Sequence, residues 1–275
     1  MDRYCVLGNP VEHSRSPWIH ARFAQLTGQL LEYGKRLVPL DGFAEAVEAF
    51  RAEGGRGCNV TVPFKFQSPA LATRLTPRAQ LAQACNTLRF DGADVLGDNT
   101  DGVGLVDDIR ANAGIDIAGR NVLLVGAGGA AAGVLGPLIE AGPHRIVVAN
   151  RTQPRAADLT RRHRELARRH RVELFAPEIA LLQGTFDIII NATASSMSGA
   201  GVPVPAGLLK PGALACDLMY GPAAQGFMTW AREHGALPRD GLGMLVEQAA
   251  EAFLVWRGIR PPSAQVLAEL RASLT

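Results

Sequence analysis

The chain has 275 residues, 47% of them hydrophobic, and 28 Lys and Arg against 26 Asp and Glu give a formal net charge of +2. That length and apolar content supply a full core, in one large domain or two modest ones, and exclude a disordered chain. The near balance of charge gives no electrostatic reason to bind nucleic acid or an anionic membrane, so the expected partner is a small molecule.

Cys5, Cys58, Cys85 and Cys216 stand far apart with no CxxC pair. Such spacing suits reduced structural thiols rather than a disulfide framework or a zinc site, and no metal is expected. The first residues hold one short apolar run before Gly8-Asn9-Pro10. That run is too short for a secretory signal, and a cytoplasmic protein is expected.

From the N-terminus, short β-type runs at residues 4–7, 33–38 and 57–60 alternate with helical patterns at 17–26 and 43–52. The alternation predicts a parallel or mixed α/β sheet. Asp101-Gly102-Val103-Gly104 then opens a linking helix carrying Leu105, Val106 and Ile109, and a second α/β series follows with apolar runs at 122–125, 145–149, 186–190 and 213–218. Residues 121–139 carry no charge, but Gly126, Gly128, Gly129, Gly133, Gly136 and Pro137 interrupt them. A buried strand turning into a helix explains them better than a membrane span. The tail from Gly241 resumes helical spacing through Met244, Leu245, Ala249, Ala252 and Phe253, as expected of helices that return to the first domain.

Within the second series, Val122-Leu123-Leu124-Val125 runs directly into Gly126-Ala127-Gly128-Gly129-Ala130. A strand, a GxGxxA turn and a helix start in that order predict a dinucleotide site. Gly126 serves the tight turn, Gly128 admits a pyrophosphate, and the helix end offers free N–H groups. The next strand ends at Asn150, followed by Arg151, Thr152 and Arg155. A carboxylate there would hold the ribose of NAD, whereas two guanidiniums pair with a 2′-phosphate, so the expected cofactor is NADP. The plainer reading of both arginines is solvated helix-start charge. The basic run at residues 161–171 interleaves Arg and His with Glu165, Leu166 and Ala167 in a helical pattern, which predicts a solvated face.

Polar residues also gather where a core would not choose them: Ser14 and Ser16, Asn59 to Lys65, Asn86-Thr87, and residues 97–102. Taken singly, Lys65 reads as a surface cation, Asn86 as a turn former and Asp101 as a helix N-cap. Together with the nucleotide turn they change meaning. Gly8-Asn9-Pro10, His13-Ser14-Arg15-Ser16-Pro17, Asn59 to Lys65, Asp98 to Gly102, Gly126 to Ala130, Asn150-Arg151-Thr152 and Asp240-Gly241-Leu242-Gly243-Met244 follow one another in an order that resembles the NADP-dependent shikimate dehydrogenase family over nearly the whole chain.

The resemblance implies an oxidoreductase that reduces 3-dehydroshikimate to shikimate, a step of chorismate and aromatic amino acid biosynthesis. It implies Lys65 and Asp101 as the catalytic pair, with the lysine giving a proton to the oxygen that hydride arrival makes negative. Ser14, Ser16 and Tyr220 then hold the substrate carboxylate, and Thr61, Asn86 and Gln248 the ring hydroxyls. Gly126, Ala127, Gly128, Gly129, Ala130, Asn150, Arg151, Thr152 and Arg155 hold NADP, with Leu218, Met219 and Gly241 at its nicotinamide end. Ala132 and Ser196 depart from the family's usual residues at their positions.

The expected fold class is α/β. An N-terminal substrate-binding catalytic domain with a mainly parallel sheet (residues 1–101, joined by 242–275) accompanies a Rossmann-type NADP-binding domain (residues 102–241). The chain is expected as a monomer or homodimer, without nucleic-acid or membrane partners. The competing readings are a quinate/shikimate dehydrogenase of broader substrate or NAD specificity, a non-catalytic NADP-binding sensor, and a nucleic-acid binder built on residues 161–171. Arg151, Arg155, Ser14 and Ser16 weigh against the first, and Lys65 with Asp101 against the second.

Overall fold

A computed structural model describes residues 1–193 and 204–274. In chain order it begins with β1 (Asp2–Gly8), α1 (Ser16–Thr27), β2 (Leu31–Leu37), α2 (Phe43–Ala52), β3 (Gly55–Val60), β4 (Arg74–Leu75), α3 (Pro77–Ala82), β5 (Thr87–Asp91), β6 (Asp94–Asp98) and α4 (Asp101–Asp107). A π turn at Asp108–Asn112 follows. The chain continues with β7 (Asn121–Val125), α5 (Gly129–Glu140), β8 (Arg145–Ala149), α6 (Gln153–His170), β9 (Glu173–Phe175), β10 (Phe186–Asn191), β11 (Leu209–Asp217), α7 (Gln225–Glu233), β12 (Leu237–Arg239), α8 (Leu242–Arg257) and α9 (Ser263–Ala272). It divides into two compact units, Met1–Leu105 with Leu245–Thr275, and Val106–Met244.

The sheet of the first unit runs β2-β1-β3-β5-β6-β4. Only β5 is antiparallel to its neighbours. Side chains alternate across a strand, so β1 serves two cores at once. Cys5 and Leu7 pack with Val38, Phe43, Val47, Phe50 and Phe64, while Tyr4 and Val6 pack with Val11, Tyr33 and Trp256. The tail helices close the second of these faces: Trp256 stacks on Tyr4 at 4.6 Å, and Phe253 meets Phe23 of α1 edge-on at 5.8 Å. The helices after residue 241 thus return to the first sheet as the helical spacing predicts.

The second unit is a wholly parallel sheet in the order β12-β11-β10-β7-β8-β9. Numbered within the unit this is 3-2-1-4-5-6 from the β9 edge, the strand order of a Rossmann sheet, with its switch point between β7 and β10. The uncharged stretch 121–139 is β7 and α5, buried from Val122 to Val125 and from Ala131 to Ile139. Among the described residues no helix is long and apolar enough to cross a membrane.

One expectation is corrected. The basic run at 161–171 belongs mostly to α6, and Arg161 pairs with Asp158 and Arg168 with Glu165 on its exposed side. His163 does not share that face. It is fully buried, its Nδ1–H donates to the Leu159 carbonyl over 2.9 Å, and burial lowers its pKa to about 4, so it is neutral. The β5–β6 hairpin makes the first sheet mixed, and Gly92 sits at φ 61 in its two-residue loop after Asp91. All four cysteines are buried and free, and burial pushes the Cys5 thiol up to about 12. Ser196 lies outside the described residues.

Candidate active site

Strands β1, β3 and β6 of the first unit point the same way, so the segments leaving their carboxyl ends meet at one end of the sheet. Ser14 and Ser16 follow β1 at the start of α1, where the Ser14 Oγ accepts a bond from the Ser16 N–H over 3.3 Å. Ser16 is buried and Ser14 half-buried. Thr61 leaves β3 with its N–H bonded to the Leu7 carbonyl at 2.9 Å.

Lys65 stands on the 3-10 turn Phe64–Phe66. Its carbonyl accepts from the Cys85 N–H at 2.9 Å and from the buried Ser68 hydroxyl at 3.0 Å, which fixes the main chain beneath the side chain. Asp101 begins α4, its N–H capped by Asn99 Oδ1 at 3.2 Å. The two side chains meet: Lys65 Nζ donates to Asp101 Oδ2 over 2.6 Å, with 16% and 6% of their side-chain surfaces exposed. Asp101 Oδ1 accepts from Asn86 Nδ2 at 2.9 Å, and the same Nδ2 lies 3.3 Å from Gln248 Oε1 on α8.

The loop carrying Asp101 is braced from behind. Asp98 binds Arg78 through both carboxylate oxygens at 2.7 and 2.6 Å, accepts the Thr76 hydroxyl at 2.5 Å and caps the Asn99 N–H at 2.7 Å. Burial would raise the Asp98 pKa, but the bonds from Arg78 and these other donors outweigh it and hold it below its ordinary value.

Four of the residues implied by the resemblance, Lys65, Asp101, Asn86 and Gln248, are therefore joined directly, and Ser14, Ser16 and Thr61 lie at the same end of the sheet. Thr100 and Asn59 also enter this network, though the sequence assigned them no role beyond their motifs. Thr100 lends its N–H to Asn86 Oδ1 at 2.9 Å, and Asn59 reaches the Asn86 carbonyl at 3.1 Å. A lysine paired with a carboxylate has the chemistry to give up a proton, and the neutral amides and hydroxyls around it have the chemistry to bind hydroxyl groups.

In the second unit the β7–α5 turn lies at the switch point. Gly126 has φ 118, and a Cβ there would stand 2.9 Å from the Ala192 carbonyl oxygen, so the turn requires glycine. Gly128 is exposed, with nothing within 4 Å of the place a Cβ would take, and α5 starts at Gly129 without a side-chain cap. Those uncapped N–H groups and the open backbone fit a pyrophosphate. Asn150 Nδ2 binds the Thr152 carbonyl at 2.9 Å and shapes the turn that exposes Arg151 and Arg155 at the start of α6. Gly241 packs on Leu218, where a Cβ would stand 2.3 Å from its carbonyl oxygen, and its N–H binds the Met219 carbonyl at 2.8 Å. Tyr220 is half-buried just before the 3-10 turn Gly221–Ala224. Among the described residues no cluster could hold a metal ion.

Family models match along the chain: the shikimate dehydrogenase substrate binding domain over residues 6–88, shikimate/quinate 5-dehydrogenase over 109–198, and the shikimate 5'-dehydrogenase C-terminal domain over 241–271. A curated relative from Acidovorax sp. (strain JS42), shikimate dehydrogenase (NADP(+)), is 65% identical over 273 residues, covering 99% of this chain and 97% of its own. The chain belongs to the shikimate dehydrogenase family. Among solved structures, the shikimate 5-dehydrogenase from Thermus thermophilus in complex with NADP(H) and shikimate is 32% identical with a TM-score of 0.86, covering 100% of each chain. The Ael1 enzyme from Pseudomonas putida is 45% identical with a TM-score of 0.88, covering 98% of each chain.

Proposed function

We propose that the protein is an NADP-dependent shikimate dehydrogenase that reversibly reduces the ring ketone of 3-dehydroshikimate, with Lys65 as proton donor and Asp101 as the carboxylate that aims it. The observation that carries this reading is the 2.6 Å Lys65–Asp101 bond, tied through Asn86 to Gln248. When bound, NADPH supplies the hydride. In reduction Lys65 Nζ gives its proton to the oxygen that becomes the hydroxyl, and in oxidation it takes that proton back. Asp101 keeps the ammonium aimed at one place through both directions.

Substrate recognition falls to neutral groups. Ser14, Ser16 and Tyr220 hold the carboxylate, while Thr61, Asn86 and Gln248 hold the ring hydroxyls and disfavour analogues that leave these groups unpaired. NADP is held by the turn from Gly126 to Ala130, by Asn150, Arg151, Thr152 and Arg155, and by Leu218 and Gly241. The first and last segments, residues 1–101 and 242–275, form the substrate-binding catalytic domain, and residues 102–241 the NADP-binding domain. The division into compact units supports these assignments.

We read the protein as cytoplasmic, a reading supported by four free buried thiols. As partners it takes small molecules and not nucleic acid, since acidic neighbours within α6 offset Arg161 and Arg168. It acts as a monomer or homodimer.

The test follows reduced-nicotinamide absorbance with purified protein, comparing shikimate with quinate and NADP with NAD under identical conditions. Rapid turnover confined to shikimate and NADP is the expected result. Preference for quinate or NAD would move the protein to the broader-specificity branch, and no turnover with any pair would leave a nucleotide-binding sensor.

A further inference from the structure

The neutral residues behind Lys65 and Asp101 form a chain of hydrogen bonds with one direction. At its far end the Tyr33 hydroxyl donates to Asn59 Oδ1 over 2.7 Å. Burial pushes the Tyr33 phenol well above its ordinary value, so it keeps the proton it donates. With Oδ1 taken, Asn59 presents Nδ2 to the Thr87 hydroxyl at 3.0 Å and to the Asn86 carbonyl at 3.1 Å. Thr87 Oγ1 accepts that bond, which leaves its own proton for Asn86 Oδ1 at 2.9 Å. The Thr100 N–H meets the same oxygen at 2.9 Å. Two donors on Oδ1 leave the Asn86 amide hydrogens for the acceptors on its other side, Asp101 Oδ1 and Thr100 Oγ1, each at 2.9 Å, with Gln248 Oε1 beside them at 3.3 Å.

We propose that Thr87 is a positioning residue: its hydroxyl, oriented by Asn59, holds the Asn86 carboxamide with its N–H groups turned toward Asp101 and Gln248. Thr87 is fully buried in β5, opposite Asn59 of β3 and Asp98 of β6, so it acts through Asn86. A carboxamide turned the other way would set Oδ1 against two acceptors, and in a buried network each such mismatch is costly. The inference rests on the proposed roles of Asn86 and Asp101.

The test uses the full chain and three variants. Thr87→Val keeps the shape and replaces the hydroxyl with a methyl group, and Thr87→Ser and Thr87→Ala differ from each other by the hydroxyl alone. Three quantities are measured: KM and kcat for shikimate, and the hydrogen exchange of the Asn86 side-chain amide by NMR without ligands. The hydroxyl-free variants are expected to raise KM about tenfold, the effect of one lost buried hydrogen bond, with a smaller change in kcat. They also speed exchange at the Asn86 amide, while Thr87→Ser stays close to the unsubstituted protein in both.

Unchanged KM and exchange in the hydroxyl-free variants would overturn the proposal, as would a Thr87→Ser variant impaired as much as Thr87→Ala. Should Thr87→Val not fold, the Ser and Ala pair decides alone. If the unsubstituted protein turns over no shikimate, the functional reading fails, and the exchange measurement still decides what Thr87 does.

Discussion

Gly243 packs so closely on Asp108 that a Cβ would lie 1.7 Å from Asp108 Oδ1. That carboxylate is held by Arg239, whose Nε and Nη2 donate over 2.6 and 2.5 Å, and the two side chains are 2% and 16% exposed. Gly243→Ala must push Asp108 off Arg239. Helix propensity alone would favour alanine by up to about 1 kcal/mol, but separating a buried, bidentate pair costs roughly 3 kcal/mol, so the net effect is a loss. Urea denaturation should show it. A midpoint equal to or above that of the unsubstituted protein would mean that the pair does not depend on Gly243.

Lys65→Ala removes the proposed proton donor and leaves the other groups that recognise substrate. The expected result is a fall in kcat of roughly 10²–10⁴-fold, with KM for shikimate changed only a few-fold. Steady-state kinetics decides it, and an unchanged kcat removes Lys65 from the chemistry. Asp101→Asn keeps the shape of the side chain but not its charge, so it should also lower kcat, by less than the loss of the amine itself.

Much of the fold was legible because its elements carry strong local signals. The runs at 122–125 and 146–149 are apolar throughout, as strands of a parallel sheet buried on both faces must be, and the glycines after Val125 mark the turn. The hairpin carries a weaker signal: Thr87 to Asp91 alternates polar and apolar residues, with Leu88 and Phe90 buried, but the strand is only five residues long and the buried Thr87 blurs its polar face. His163 was placed on the wrong face since helical spacing does not say which member of an Arg-rich run points inward. In the candidate site, the charged pair stands out through its motifs. Thr87 and Thr100 do not, because the role of a neutral hydroxyl depends on which partners surround it, and those come from β3, α8 and the segment before β5.

Arg151 and Arg155 are exposed, so their worth lies in what they bind rather than in the stability of the fold. Replacing either with alanine should raise KM for NADPH about tenfold, the loss of one charge-assisted contact at a solvated site, and leave KM for NADH nearly unchanged. High salt should shrink the difference between the two cofactors in the unsubstituted protein. Equal effects on NADPH and NADH would show that these arginines do not read the 2′-phosphate.

His20 lies fully buried in α1, stacked on Tyr33 at 4.2 Å and set edge-on to Phe23 at 5.9 Å. Burial lowers its pKa from 6.5 to about 3, as it lowers that of His163 to about 4. Both rings stay neutral in the folded protein at a pH where the unfolded chain would protonate them. The unfolded state therefore binds more protons below pH 6.5, and stability falls as pH falls. With two histidines the slope approaches roughly 2.7 kcal/mol per pH unit between about pH 4 and 6, and flattens above pH 7. Asp98, held below its ordinary value by Arg78, adds to the loss only at lower pH. His20→Phe keeps an aromatic ring in the stack and removes one of the two protons, so it should halve the slope in urea denaturation between pH 7 and 5. A variant with the full slope would mean that His20 is protonated, or exposed, in the folded state.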